Sequence, residues 1–66
     1  EAGLFVTAGT KVAVLDDARR IVETVAARDL AGQSELLFRR NSLSGSVECL
    51  TNKTAIELNE SLHVNN

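Results

Sequence analysis

The side chains that most often do chemistry occur singly in this sequence of 66 residues, which has one cysteine, Cys49, and one histidine, His63. Cys49 could act as a nucleophile if a base lowered the pKa of its thiol. Its alternation with Val47 instead predicts a small hydrophobic residue buried on one face of a strand. His63 lies between Leu62 and Val64, so in a strand it points away from them, towards solvent or a partner. We expect no catalytic residue.

Metal and cofactor binding also lack the residues they need. One cysteine and one histidine fall short of the roughly four ligands of a structural zinc site. The glycines are widely spaced, and none belongs to the Gly-Lys-Ser/Thr pattern of a phosphate-binding loop. Asp16 and Asp17 follow an apolar run, where acids can hold Mg²⁺, but we interpret them as caps of a helix N-terminus. We therefore predict no metal site and no cofactor.

One segment, Arg39-Arg40-Asn41-Ser42-Leu43, has the basic-basic-any-Ser-apolar order that basophilic protein kinases prefer, a pattern that is specific only in a eukaryotic cytosol. A phosphate on Ser42 would lie beside two guanidinium groups able to bind it. The alternative is that the two arginines solvate the end of a helix and that Ser42 opens a turn. Ser42 is therefore a candidate phosphorylation site.

Two further segments, Asn52-Lys53-Thr54 and Asn59-Glu60-Ser61, match the acceptor pattern for N-glycosylation. Asn52 and Asn59 are thus candidate glycosylation sites if the chain enters a eukaryotic secretory pathway. A lone cysteine fits a reducing interior instead. We expect a cytoplasmic location, with secretion as the alternative.

The formal charge of −2 comes from nine acidic and seven basic residues, and the basic ones form no stripe. Only two aromatic residues are present, too few for a base-stacking platform, so we expect no nucleic-acid partner. No apolar run approaches the roughly 20 residues that cross a bilayer, so we expect no membrane span.

The elements that must position these residues begin with a predicted central helix from Asp16 or Asp17 to Ala31. Its apolar residues recur at helical spacing, at Val14, Ala18, Ile21, Val22, Val25, Ala26 and Leu30. Gly32 is placed to take the left-handed conformation that ends a helix.

Before this helix, residues 4–7 and 10–14 predict a hairpin around Ala8-Gly9 that pairs Phe5 with Val12 and places Val14 on the same face. The alternative is a longer helix capped by Thr10. After the helix, Ser34 can cap a short second helix from Glu35 to about Arg40. Residues 41–46 are rich in Ser, Asn and Gly and predict a loop.

The C-terminal third predicts a second hairpin, in which residues 47–51 and 54–58 flank an Asn52-Lys53 turn. This register places Cys49 opposite Ile56 on one apolar face, and it places Glu48 opposite Glu57 as a like-charge pair. Leu62 and Val64 continue the alternation. A helix over this segment is the alternative.

The resulting fold class is α+β: a small antiparallel sheet from two hairpins, packed against one central helix and a short second helix, in a single domain over residues 1–66. So small a core, without a disulfide or a metal, predicts a protein partner or self-association as a homo- or hetero-oligomer.

The leading functional hypothesis is a non-enzymatic oligomerising, interaction or regulatory module, or a structural subunit of a larger assembly. The first alternative is a processed secreted or toxin-like subunit that associates with a partner chain. A further alternative is a subunit whose active site is completed by another chain, using Cys49, His63 or Asp16-Asp17.

Overall fold

The computed structural model describes residues 3–33, 36–51 and 60–65. These residues form strands and one three-residue 3-10 turn, Ala27–Asp29. The strands are β1 (Leu4–Thr7), β2 (Lys11–Leu15), β3 (Ile21–Ala26), β4 (Phe38–Arg40), β5 (Val47–Leu50) and β6 (Leu62–Asn65). None of the described residues belongs to a helix long and apolar enough to span a bilayer.

The strands form two sheets. The larger has the order β3-β2-β5-β4, in which the central strands β2 and β5 are parallel and both edge strands are antiparallel to their neighbours. The smaller sheet joins β1 and β6 in parallel, with Leu4 opposite Leu62. The two sheets meet at a bridge between Phe38 and Glu60, whose backbone groups exchange hydrogen bonds of 2.8 and 3.3 Å.

The core covers both faces of the central strands of the larger sheet, because residues 12–15 and 47–50 are all buried. Cross-strand register places Val14, Cys49 and Phe38 in one row, and it places Val12 beside Val47 in the next. All five are buried, and residues two apart along a strand point to the same face. Their burial is the main stabilising contribution of this sheet, at about 1.5–3 kcal/mol for each large apolar side chain.

The predicted central helix is wrong. Asp16 does cap a backbone turn, because its Oδ1 atom accepts hydrogen bonds from Ala18 N and Arg20 N, both at 2.9 Å. This turn reverses the chain, and the next six residues form β3 antiparallel to β2. The β-branched residues Ile21 and Val22 favour a strand, and pairing with β2 overrides the helical spacing of the apolar residues.

The predicted N-terminal hairpin is also wrong, although both of its strands exist. Residues 8 and 9 form a turn, closed by Thr10 N donating to Thr7 O at 3.0 Å. The chain then passes from one sheet to the other, so Phe5 lies opposite His63 and not opposite Val12. Strand β2 instead pairs with β3 and β5, which offer it two partners at once.

The short second helix is contradicted where the structure describes it, because Phe38–Arg40 is an edge strand paired with β5. The loop at residues 41–46 is confirmed, as is a strand beginning at Val47. The second strand of the predicted C-terminal hairpin, residues 54–58, lies outside the described residues.

Together these differences overturn the α+β class. The described part of the chain is an all-β arrangement with a single 3-10 turn, and no long helix covers its sheet. The expectation of one domain over residues 1–66 stays a prediction.

Candidate anion-binding site

A cleft of about 260 Å³ lies where β4 ends and the chain turns back towards β5. It is lined by Arg39, Arg40, Asn41, Ser42 and Leu43. Two consecutive arginines are therefore among its lining residues, with side chains that project to opposite faces of β4. The predicted alternative, in which they solvate the end of a helix, is wrong because both belong to β4.

Asn41 gives the turn its shape. Its Oδ1 atom accepts hydrogen bonds from Leu43 N at 2.8 Å and from Ser44 N at 3.0 Å. Its backbone oxygen accepts another from Gly45 N at 2.7 Å, and Gly45 has a φ of 78° that glycine adopts without strain. An asparagine at the first position of a turn commonly makes such side-chain bonds to the backbone. The wall of the cleft is thus ordered by one side chain.

Glu48, on β5, does not line the cleft but holds two residues that do. The strand register places it opposite Arg39, and its Oε1 atom accepts a hydrogen bond from Arg39 Nε at 3.0 Å. Its Oε2 atom accepts a second one from Asn41 Nδ2 at 3.2 Å. Because Glu48 is only 8% exposed, this ion pair is screened less than a surface pair.

Arg40 contributes the second positive charge. It is exposed, and its Nη1 atom donates to Gly45 O at 3.0 Å. A guanidinium carries five N–H donors, so this one bond leaves it able to bind an anion. Because Arg39 is paired with Glu48, the positive charge that the cleft offers to a ligand is that of Arg40. Such a site suits a carboxylate or a phosphate group.

The structure places the candidate phosphorylation site, Ser42, in this cleft, where it is exposed. The turn that the sequence predicts at Ser42 is present. Asn52 and Asn59, the candidate glycosylation sites, lie outside the described residues. All three modifications stay predictions.

The remaining candidate residues do not line the cleft. Cys49 is 2% exposed, which confirms the prediction of a buried hydrophobic residue. Burial raises the pKa of its thiol, and the negative charge of Glu23 raises it further, so the thiolate is disfavoured. Asp16 closes the turn between β2 and β3.

His63 differs from its prediction. It is half-buried, and its ring stacks on Phe5 with 4.5 Å between ring centroids and 13° between ring planes. This contact lies between β1 and β6, which the sequence analysis did not expect to pair. Among the described residues, no group of three or more His, Cys, Asp and Glu side chains could hold a metal ion.

Sequence reasoning missed Glu48. It predicted a like-charge pair with Glu57, a residue outside the described part of the chain. A usable signal was present, because Arg39 and Glu48 flank the 41–46 loop and a hairpin around that loop pairs them across the strands. The helix predicted at residues 35–40 concealed this relationship.

The sequence was compared with known proteins, and no family model matches it. The whole chain is 70% identical to part of a protein from Pseudomonas aeruginosa and to part of one from Pseudomonas paraeruginosa. A protein from Vibrio cholerae is 65% identical over the same 66 residues. Each is named 2,3,4,5-tetrahydropyridine-2,6-dicarboxylate N-succinyltransferase, and the chain spans 19% of the length of each.

These relatives overturn the functional expectations drawn from the sequence. Their names describe an enzyme, and the similarity covers every residue of this chain. The expectations of a protein that is not an enzyme, of a regulatory module or structural subunit, and of a toxin-like polypeptide are therefore wrong.

Proposed function

We propose that this chain is part of an N-succinyltransferase that acts on a cyclic dicarboxylate, and that the cleft lined by residues 39–43 binds a carboxylate of one of its substrates. The names of the relatives support the reaction. The observation that carries the role of the cleft is the exposed guanidinium of Arg40 beside a turn that the Asn41 side chain orders.

The reaction supplies ligands of the right charge. In succinyl transfer to an amine nitrogen, the nitrogen attacks the acyl carbonyl of a succinyl donor and a new N–C bond forms. The bond from that carbon to the donor's leaving group breaks, and the proton lost from nitrogen passes to the leaving group or to solvent. The succinyl group and the dicarboxylate acceptor both carry carboxylates, which are ionised at neutral pH. An arginine binds such a group with two parallel hydrogen bonds. A site that fixes the carboxylate therefore orients the substrate for attack.

The residues of the cleft are held in place before any ligand binds, and this favours a role in binding. Glu48 holds Arg39, and Asn41 holds the turn, through hydrogen bonds of 2.8–3.2 Å. Less side-chain entropy is lost on binding when the binding groups are already fixed. Neither Cys49 nor His63 lines the cleft, so we assign it to binding rather than to bond formation.

The proposal can be tested with a protein that we call the exchange enzyme. It is the Pseudomonas aeruginosa relative in which this chain replaces the matching 66 residues. We expect it to transfer succinyl groups. Arg40→Ala in the exchange enzyme should raise the KM for one anionic substrate about tenfold or more, because a hydrogen bond to a charged group contributes roughly 1.5–3 kcal/mol. Isothermal titration with succinate and with pyridine-2,6-dicarboxylate then shows which carboxylate the cleft binds.

The matched control is Arg20→Ala. Arg20 is an exposed arginine in the β2–β3 turn, outside the cleft. We expect this variant to keep the KM values of the exchange enzyme. A folded exchange enzyme without activity contradicts the proposed reaction. Equal KM values for Arg40→Ala and its parent contradict the proposed role of the cleft.

We also propose that the protein self-associates, with β3 at the contact. In support, β3 is an edge strand, and its residues Ile21 and Val22 are 64% and 54% exposed. Edge strands offer unpaired backbone groups to another chain. Light scattering of the exchange enzyme tests this. Ile21→Lys should lower its solution mass, whereas Lys11→Glu, at an exposed position on β2, should not. An unchanged mass for Ile21→Lys contradicts the proposal.

A further inference from the structure

We infer that the cleft lined by residues 39–43 binds the succinyl donor, through the free carboxylate of its succinyl group, and that Leu43 selects for the length of that group. This inference rests on the proposed function, because it names which of the two substrates occupies the same cleft. A succinyl group that is attached to its carrier through the acyl carbonyl keeps one free carboxylate, whereas the cyclic acceptor has two. The number of charges in the cleft therefore distinguishes them.

The cleft offers one cationic group that is not already neutralised. Arg39 and Arg40 are neighbours in β4, so their side chains project to opposite faces of the strand. Arg39 Nε donates to Glu48 Oε1 at 3.0 Å, and this ion pair balances its charge. Arg40 is exposed, and it forms no ion pair with a carboxylate of residues 3–33, 36–51 or 60–65. Its charge is thus matched by one carboxylate of a ligand.

A dicarboxylate fits this charge poorly. With one of its carboxylates on Arg40, the other would enter the same cleft without a cationic partner, and taking an unpaired charge out of water is unfavourable. Among the described residues, the other cation that lines the cleft is Arg39, whose charge Glu48 already balances. The single available charge therefore favours the succinyl donor over the cyclic acceptor.

The residues beside Arg40 complement the rest of a succinyl group. The two methylene groups of this ligand are apolar, and Leu43 lines the cleft with a side chain that is 97% exposed. Contact with the methylene groups removes part of this apolar surface from water, which favours binding. Ser42 is exposed and lines the same cleft, so its hydroxyl can donate a second hydrogen bond to the carboxylate.

The turn fixes the spacing between these groups. Asn41 Oδ1 accepts a hydrogen bond from Leu43 N at 2.8 Å, and Arg40 Nη1 donates to Gly45 O at 3.0 Å. The guanidinium and the backbone of Leu43 are therefore held by bonds within one turn. A fixed separation selects ligands whose carboxylate and hydrocarbon part are spaced to match. The carboxylate bound here does not react, and the acyl carbonyl at the other end of the group stays available for attack.

Titration calorimetry of the exchange enzyme tests the choice of substrate. Monomethyl succinate is the donor probe, because its ester stands for the acyl carbonyl and it has one free carboxylate. Pyridine-2,6-dicarboxylate is the acceptor probe. We expect Arg40→Ala to weaken binding of the donor probe about tenfold or more and to change binding of the acceptor probe by less than about twofold. Arg20→Ala, at an exposed arginine outside the cleft, should change neither.

A second titration tests the role of Leu43. Monomethyl malonate is one methylene group shorter than monomethyl succinate. We expect the unsubstituted exchange enzyme to bind it about fourfold more weakly, the ratio that corresponds to one buried methylene group. Leu43→Asn, which has a polar side chain of similar shape, should lower this ratio towards one. Leu43→Met is the matched control and should keep the ratio, because its side chain is also apolar.

The outcomes separate this inference from the proposed function. If neither probe binds, or if Arg40→Ala weakens the binding of neither, the proposed role of the cleft fails and the inference fails with it. If Arg40→Ala weakens binding of the acceptor probe, alone or as much as that of the donor probe, the cleft keeps its role and the inference is overturned. An unchanged ratio between the two esters in Leu43→Asn overturns the role of Leu43.

Discussion

Glu48 on β5 lies directly opposite Arg39 on β4, and its Oε1 atom accepts a hydrogen bond from Arg39 Nε at 3.0 Å. The same buried carboxylate reaches Asn41 Nδ2 with its other oxygen, at 3.2 Å. One side chain thus fixes both a strand residue and the first residue of the turn. The geometry of the cleft depends on a residue that is not among those that line it.

Glu48→Gln should destabilise the β4–β5 pair by about 1–2 kcal/mol, because a neutral amide replaces a charge-assisted acceptor in a largely buried setting. Hydrogen exchange of the β4 and β5 backbone amides in the exchange enzyme measures this local free energy of opening. Arg20→Gln is the control. It breaks an exposed pair with Asp16 at 3.6 Å and should change the free energy of opening by less than about 0.5 kcal/mol. Equal effects of the two variants contradict this account.

The thiol of Cys49 should make stability depend on alkaline pH. Burial, and secondly the charge of Glu23, raise the pKa of this thiol above its ordinary value of 9.0. The unfolded chain therefore releases the proton at a lower pH than the folded protein. The stabilising contribution of the thiol is complete below pH 9.0 and is lost as the pH rises through the folded pKa.

This dependence can be measured by denaturant unfolding at a series of alkaline pH values. The free energy of unfolding should fall more steeply with pH in the unsubstituted exchange enzyme than in its Cys49→Ala variant. The lysines and other titratable groups are the same in both proteins, so the difference in slope isolates the thiol. Parallel curves above pH 9.0 would mean that the pKa of Cys49 is not raised.

Gly3→Ala should destabilise the packing between β1 and β6. A methyl group at this position would overlap the ring of His63, which is already stacked on Phe5. Forced overpacking of this kind typically destabilises by about 1–3 kcal/mol. Gly9→Ala is the matched control, because a methyl group there meets no atom within 4 Å. Thermal unfolding of both variants checks the contrast, and equal melting temperatures would refute it.

Arg19→Gly should stabilise the β2–β3 turn. Arg19 has a φ of 65°, in the left-handed region that a side chain makes unfavourable. Glycine removes that strain, and the expected gain is about 0.5–1 kcal/mol after the extra entropy of the unfolded chain is subtracted. Arg20→Gly, at the neighbouring position without a positive φ, should destabilise the protein instead. Denaturant unfolding of the two variants should give shifts of opposite sign.

Part of the candidate site could be predicted from the sequence. The pattern at residues 39–43 indicates two guanidinium groups beside a serine in a turn, and that turn is present. The sequence pattern did not indicate the cleft, because a helix was predicted over Arg39 and Arg40. It also missed the anchoring role of Glu48, which follows only from pairing β4 with β5.

Several local features follow from the residue types alone. Alternation of β-branched residues predicts strands around Val6, Val12 and Val47, and it predicts the burial of Cys49. Glycine and asparagine likewise determine the turn at residues 41–46, and Gly32 takes the predicted positive φ, of 84°. These features depend on propensities of residues close together in the chain.

The pairing of the strands, by contrast, depends on contacts between distant parts of the chain. Phe5 lies opposite His63, and Val12 lies between Val25 and Val47, so the partners are far apart in the sequence. Residues 21–26 have helical spacing and β-branched composition at once, and the hydrogen bonds and buried surface offered by β2 select the strand. Non-local pairing of this kind depends on which edges are free when the sheet forms, and no local pattern encodes it.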